Sequence, residues 1–193
     1  MEGGGDSKQL HTRCREGFRR LLDRCGFCGR MPRLVACGSR SATFGDFKTA
    51  HDLSAPGEYV AMLVDSEDAV EDIEQTWNHL KNRDGWERLE GASDEQVLLM
   101  VTCMETRIVA DRAVLKSHYG AGLQENALPP LINLESRARE DIHTALTHAT
   151  RDFRNAYTKG KRSFEVLGKL TPATLTQHLP SFQRLRRVLD SRL

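Results

Sequence analysis

Tyr59-Val60-Ala61-Met62-Leu63-Val64-Asp65-Ser66-Glu67-Asp68 decides how the rest of the chain is read. Six uncharged residues give way, within one position, to a run bearing three carboxylates. A strand with one wet face alternates apolar and polar side chains; this one does not alternate. It therefore predicts a strand over 59–64 that is covered on both sides, as strands of parallel sheets are. The turn Ala55-Pro56-Gly57 precedes it, and a helical pattern over 69–80 follows.

Working outward, Gln96-Val97-Leu98-Leu99-Met100-Val101-Thr102-Cys103 repeats the pattern, predicting a strand over 97–103 and a helix over 104–118. Residues 85–93 between them read as a loop or a short irregular strand. Toward the N-terminus, Arg33-Leu34-Val35-Ala36-Cys37-Gly38 is a short apolar run bounded by Pro32 and Gly38, the pattern of a buried strand. A helix over about 42–53 follows it. Before it, Leu10, Cys14, Phe18, Leu21, Leu22 and Cys25 recur at helical spacing over 6–25, with Asp6 or Ser7 as N-cap. Strands alternating with helices make the fold class α/β, a small parallel sheet flanked by helices. Past Gly120 the character changes. Leu128-Pro129-Pro130 is a break, and helical pieces are expected over 134–150, 163–168, 172–178 and 180–191. The chain thus reads as an α/β domain over 1–119 and a helical extension over 120–193 docked on it.

The chain has 193 residues, 39% of them apolar, with a mean hydropathy of −0.51. No run approaches the ~18 apolar residues of a membrane span. Met1-Glu2-Gly3-Gly4-Gly5-Asp6 lacks the basic start and apolar stretch of a signal peptide, so the expectation is a cytoplasmic protein without a membrane segment. Five cysteines in a chain of this size are expected as free thiols. Cys25 and Cys28 form a CxxC, but no second CxxC accompanies it, so a zinc site with Cys14 and Cys37 is disfavoured. The net charge of +1 hides segregation: counted along the chain, residues 1–45 carry +5, 46–105 carry −11, 106–150 carry 0 and 151–193 carry +7.

Ligands of open parallel sheets bind outside the carboxyl ends of the strands, and here those ends are acidic. The strand at 59–64 delivers Asp65, Glu67 and Asp68; the strand at 97–103 delivers Glu105 and, further along the helix, Asp111. Carboxylates gathered at one edge repel unless cations neutralise them, and oxygen ligands select hard ions such as Mg²⁺ or Mn²⁺. The alternative is that the acids at 65–68 cap the next helix. Glu2-Gly3-Gly4-Gly5-Asp6-Ser7-Lys8 reads either as a glycine-rich anion-binding turn at a helix start or as a flexible tail, and it lacks the ending of a P-loop. Lys159-Gly160-Lys161-Arg162 and Arg184-Leu185-Arg186-Arg187 read as solvated faces or as phosphate-facing surface for nucleic acid. None of the seven histidines has HxxxH or HExxH spacing, and each is expected at the surface or in the core.

Glu2-Gly3 at a glycine-rich turn before a helix, with an apolar strand ending in Asp65-Ser66-Glu67, resembles the Toprim domain of topoisomerases, primases and related nucleases. Glu2 to Ser7, Leu63 to Asp68, Cys103 to Arg112 and Lys159 to Leu167, taken in order, more closely resemble the bacterial Toprim-like family catalogued as domain of unknown function 4276. The resemblance covers nearly the whole chain. It implies a Toprim-like (Rossmannoid) fold and Mg²⁺-dependent nuclease-like chemistry on nucleic acid, with Glu2 as acid or base and Asp65 with Glu67 as metal pair. Asp68, Glu105 and Asp111 are further metal ligands on this reading, and Lys8, Lys159, Lys161 and Arg162 hold phosphate. It also implies an AAA/ABC-type ATPase partner in a bacterial anti-phage module; the alternative is a non-catalytic partner or regulator of an ATPase or nucleic-acid complex. In Toprim domains the glutamate closes the first strand. With only Met1 before Glu2, the expectation is either further sequence upstream or a frayed terminus.

Overall fold

In the computed structural model, which describes residues 1–5 and 7–193 apart from the side chain of Lys161, β1 (Met62–Asp65) and β2 (Val97–Met100) pair in parallel. Met62 lies opposite Val97 and Asp65 opposite Met100. Successive side chains leave opposite faces of a strand. Met62, Val64, Val97 and Leu99 therefore join Phe47, Trp77 and Leu80 in one apolar cluster, while Leu63, Leu98 and Met100 join Phe18, Ile108, Leu115 and Phe182 in another. Both faces are dry, as the unbroken apolar runs require. On the first face lie α2 (Arg40–Asp52) and α3 (Thr76–Asp84); on the second lie α4 (Met104–Ala110) and α9 (Pro180–Arg192), with α1 (Lys8–Leu22) packed in the same cluster.

The first residues are not frayed. The Met1 ammonium donates to the Val35 carbonyl at 2.7 Å and the Cys37 N–H donates to the Met1 carbonyl at 3.0 Å. On the other side the Glu2 N–H donates to the Leu63 carbonyl at 2.8 Å. Residues 1–3 thus fill the slot between residues 35–38 and β1. The strand expected over 33–38 does not form; among these residues only Gly38 makes isolated bridges, to Glu2 and Gly3. Gly38 has a φ of +83°, and a Cβ there would stand 2.6 Å from the Gly5 carbonyl oxygen, so glycine is required where the glycine-rich turn crosses.

Several boundaries differ from those expected; the helix expected over 134–150, for one, begins only at Arg139. β1 starts at Met62 rather than 59 and ends one residue past the expected 64, while β2 stops at Met100 rather than 103, where the Ser66 N–H turns to the Met100 carbonyl and the Glu67 N–H to the Thr102 carbonyl. The helix expected over 69–80 starts only at Thr76. Asp72 bonds the Glu74 N–H and the Gln75 amide locally, and the α3 start is capped by Asp94, which accepts from Trp77 N–H at 2.9 Å. The helix expected over 104–118 breaks into α4 and α5 (Arg112–Tyr119) at Asp111.

The later helices α6 (Arg139–Thr150), α7 (Lys161–Leu167), α8 (Pro172–His178) and α9 share the larger apolar cluster with α1, which runs from Cys14 to Leu189. α7 lies against α1 so closely that a Cβ on Gly17 would sit 2.7 Å from the Phe164 carbonyl oxygen. Arg184, 3% exposed, donates to the Val97 and Asp94 carbonyls and to Glu74. Arg187 also pairs with Glu74, and Arg192 with Glu95. Arg184 and Arg187, read as possible phosphate-facing surface, instead clamp α9 to the acidic segment. Cys14 and Cys25 are buried in the core, where desolvation pushes their thiols up to about 12 and about 11. No helix among the described residues is long and apolar enough to cross a membrane.

Candidate functional site

The slot filled by residues 1–3, the end of β1 and the loop after it bring Glu2, Asp65 and Glu67 together, their nearest carboxylate oxygens all within 4.8 Å. Each is fixed by its backbone. Glu2 Oε2 accepts the Asp65 N–H at 3.0 Å, so the strand that carries one acid orients the other. Glu67 holds a positive φ of 68°, rare for a side chain with a Cβ, and its N–H is anchored on Thr102. Asp65 is 5% exposed and its Oδ1 has no hydrogen-bond partner. Burial, and then the charges of Glu2 and Glu105, raise the Asp65 carboxyl well above the ordinary carboxylate range; Lys159 and Arg139 pull the other way.

Cations come from elsewhere in the chain. Arg40 forks onto Asp84 with its Nε and Nη2, at 3.1 and 2.6 Å, while Nη1 bonds the Asp65 carbonyl and lies 3.8 Å from Glu2 Oε2. Arg139 pairs with Glu67. Beside this group Glu105 is fully buried. Its Oε1 accepts the Tyr157 hydroxyl and its Oε2 faces His143 Nε2 at 3.1 Å. Burial alone would raise its carboxyl; the His143 and Tyr157 hydrogen bonds outweigh this and hold it at about 2. Cys103 Sγ, Glu105 and His143 form a second set within 4.8 Å.

Of the residues expected to meet, Glu2, Asp65 and Glu67 do. Glu105 stands next to them with both oxygens engaged by side chains. Asp68 turns away, 70% exposed, to Arg83 at 2.9 Å. Asp111 accepts the Val114 N–H at the start of α5 and the Thr171 N–H before α8, so both oxygens serve the backbone. Lys159 is exposed and lies close enough to Asp65 and Glu105 to lower both. Lys8 is exposed at the start of α1, and Arg162 lies near His118 and Tyr119. Asp6 and the side chain of Lys161 fall outside the described residues. Arg40, Arg139, His143 and Tyr157 were not read as site residues in the sequence. For His143 the expectation of a plain surface or core residue is replaced by a hydrogen bond to a buried carboxylate.

The donor set fits a hard divalent cation: three carboxylates, no sulfur or nitrogen, and a buried oxygen lacking a partner. No curated protein and no solved structure matches the chain. The family described as Domain of unknown function (DUF4276) matches residues 1–190, and the chain belongs to that family.

Proposed function

We propose that this protein is a Toprim-like phosphodiester-processing enzyme, nuclease-like in its chemistry, with Mg²⁺ or Mn²⁺ held by Asp65 and Glu67 and with Glu2 as acid or base. The observation that carries this is the meeting of three carboxylates from two segments, Glu2 from the N-terminus and Asp65 with Glu67 from the end of β1, around a buried Asp65 oxygen without a partner. Such a group is costly without a neutralising charge. A divalent ion supplies stabilisation of charge developing on phosphoryl oxygens when bound. The chain's own part is to hold Glu2 against the Asp65 N–H, to keep Glu67 in place through Arg139 and Thr102, and to offer Lys159 to a phosphate. Asp65→Ala is expected to abolish Mn²⁺-dependent cleavage of DNA or RNA; a variant as active as the wild type removes the proposal.

A second reading is a non-catalytic partner or regulator of an AAA/ABC-type ATPase or nucleic-acid complex, as in an anti-phage module. Its support is that Arg139 and Arg40 already give the carboxylates partial neutralisation. It expects co-purification with an ATPase and a melting temperature indifferent to Mg²⁺ or Mn²⁺.

A further inference from the structure

The second set of donors differs in kind from the first. Glu2, Asp65 and Glu67 offer oxygen alone, whereas Cys103, Glu105 and His143 offer one sulfur, one oxygen and one nitrogen, all within 4.8 Å of one another. Cys103 precedes the first turn of α4, Glu105 lies in that turn, and His143 comes from α6. Donors bonded to a tetrahedral ion at roughly 2.0–2.3 Å lie about 3.3–3.8 Å apart. His143 Nε2 already stands 3.1 Å from Glu105 Oε2. Metal ligands are characteristically held in place by hydrogen bonds of their own. Tyr157 donates to Glu105 Oε1, which leaves Oε2 to face His143, and the Thr106 hydroxyl lies 3.7 Å from Cys103 Sγ. Cys103 and Glu105 are fully buried while His143 is 29% exposed, so an ion, and a water as its fourth ligand, reach the set past the imidazole.

We propose that Cys103, Glu105 and His143 bind one Zn²⁺ through Sγ, Oε2 and Nε2, with Tyr157 and Thr106 as positioning residues. Sulfur and nitrogen donors favour Zn²⁺ over Mg²⁺, and the carboxylate disfavours Cu⁺. Binding breaks the S–H bond: the proton passes to water and the thiolate gives its electron pair to the ion. The neutral imidazole gives the Nε2 lone pair and keeps its one proton on Nδ1. Two bonds to the ion thus replace the hydrogen bond between Nε2 and Oε2. Thiolate and carboxylate together match the +2 of the ion, which leaves a buried set without net charge. This site is separate from the one formed by Glu2, Asp65 and Glu67, and it does not depend on the phosphodiester reading.

The test uses Co²⁺ as an optical stand-in for Zn²⁺, because a thiolate bound to Co²⁺ gives an intense near-ultraviolet charge-transfer band. The full chain, stripped of metal by a chelator, is expected to develop that band to saturation at one equivalent of Co²⁺ and to lose it on adding one equivalent of Zn²⁺. Excess Mg²⁺ should leave it in place. Cys103→Ser is expected to abolish the band. Cys28→Ser, which removes an exposed thiol outside the set, and Asp65→Ala, which removes the other site, are expected to keep it. His143→Ala and Tyr157→Phe retain every thiol and should weaken Zn²⁺ binding, read by competition with a chromophoric chelator, roughly 10-fold or more. A wild-type chain without the band at one equivalent overturns the proposal, and so does a band that survives Cys103→Ser. Should Cys103→Ser fail to fold, an unchanged Zn²⁺ affinity in both His143→Ala and Tyr157→Phe overturns it. Each of these failures leaves the Asp65 site standing.

Discussion

Asp65, at the end of β1, and Glu105, in the first turn of α4, are buried carboxylates whose surroundings drive them in opposite directions. Asp65 has an oxygen without a donor and is raised; Glu105 has Tyr157 and His143 and is held at about 2, below an ordinary glutamate at 4.5. A depressed folded-state pKa means that Glu105 contributes stability above the unfolded value, lost as pH falls from about 4.5 toward about 2. Tyr157→Phe removes one donor and lets the folded-state carboxyl rise, so the acid-side loss should be smaller and complete at higher pH, with stability near neutrality lower by about 2 kcal/mol. Urea unfolding at a series of pH values measures both; a variant with an unaltered acid limb would contradict the role given to this hydrogen bond. Asp65 and Glu67 were legible because an apolar run that stops at an acid marks a strand end. His143 and Tyr157 were not, since their bonds to Glu105 span 38 and 52 residues and leave no local pattern.

At the scale of elements, the helices most visible in the sequence are those whose ends are set locally. α8 and α9 begin at Pro172 and Pro180, and α2 is capped by Ser39 accepting from Ala42 N–H. α3 was misplaced because its cap, Asp94, comes from 17 residues beyond Trp77. Two helical glycines give the packing a test of sign. Gly17 on α1 has the Phe164 carbonyl oxygen 2.7 Å from where a Cβ would go, whereas Gly45 on α2 has nothing within 4 Å. Gly45→Ala should stabilise by about 0.5–1 kcal/mol. Gly17→Ala should destabilise by roughly 1–3 kcal/mol, because α7 must shift away from α1. The same urea midpoints report both, and destabilisation at Gly45 or tolerance at Gly17 would mean the helix contacts are not those described.

Across the whole molecule, the apolar cluster from Cys14 to Leu189 ties the last helices to the first, and α9 is pinned to the acidic middle through Arg184, Arg187 and Arg192. The charge segregation read from the sequence is therefore partly internal: some cations of the +7 segment neutralise the −11 segment within the fold. Heat should unfold the chain in one step, with far-UV dichroism and tryptophan emission falling together; two separated transitions would show 120–193 to be an independent unit. The tryptophans have a further use. Trp86 is stacked on Phe44 at 4.2 Å, and the guanidinium of Arg40 lies 5.0 Å above its ring. The same guanidinium reaches Glu2 and the Asp65 carbonyl. An ion that draws Glu2 away from Arg40 alters the charge over an indole, so the molecule carries its own label-free optical gauge of what occupies the carboxylates.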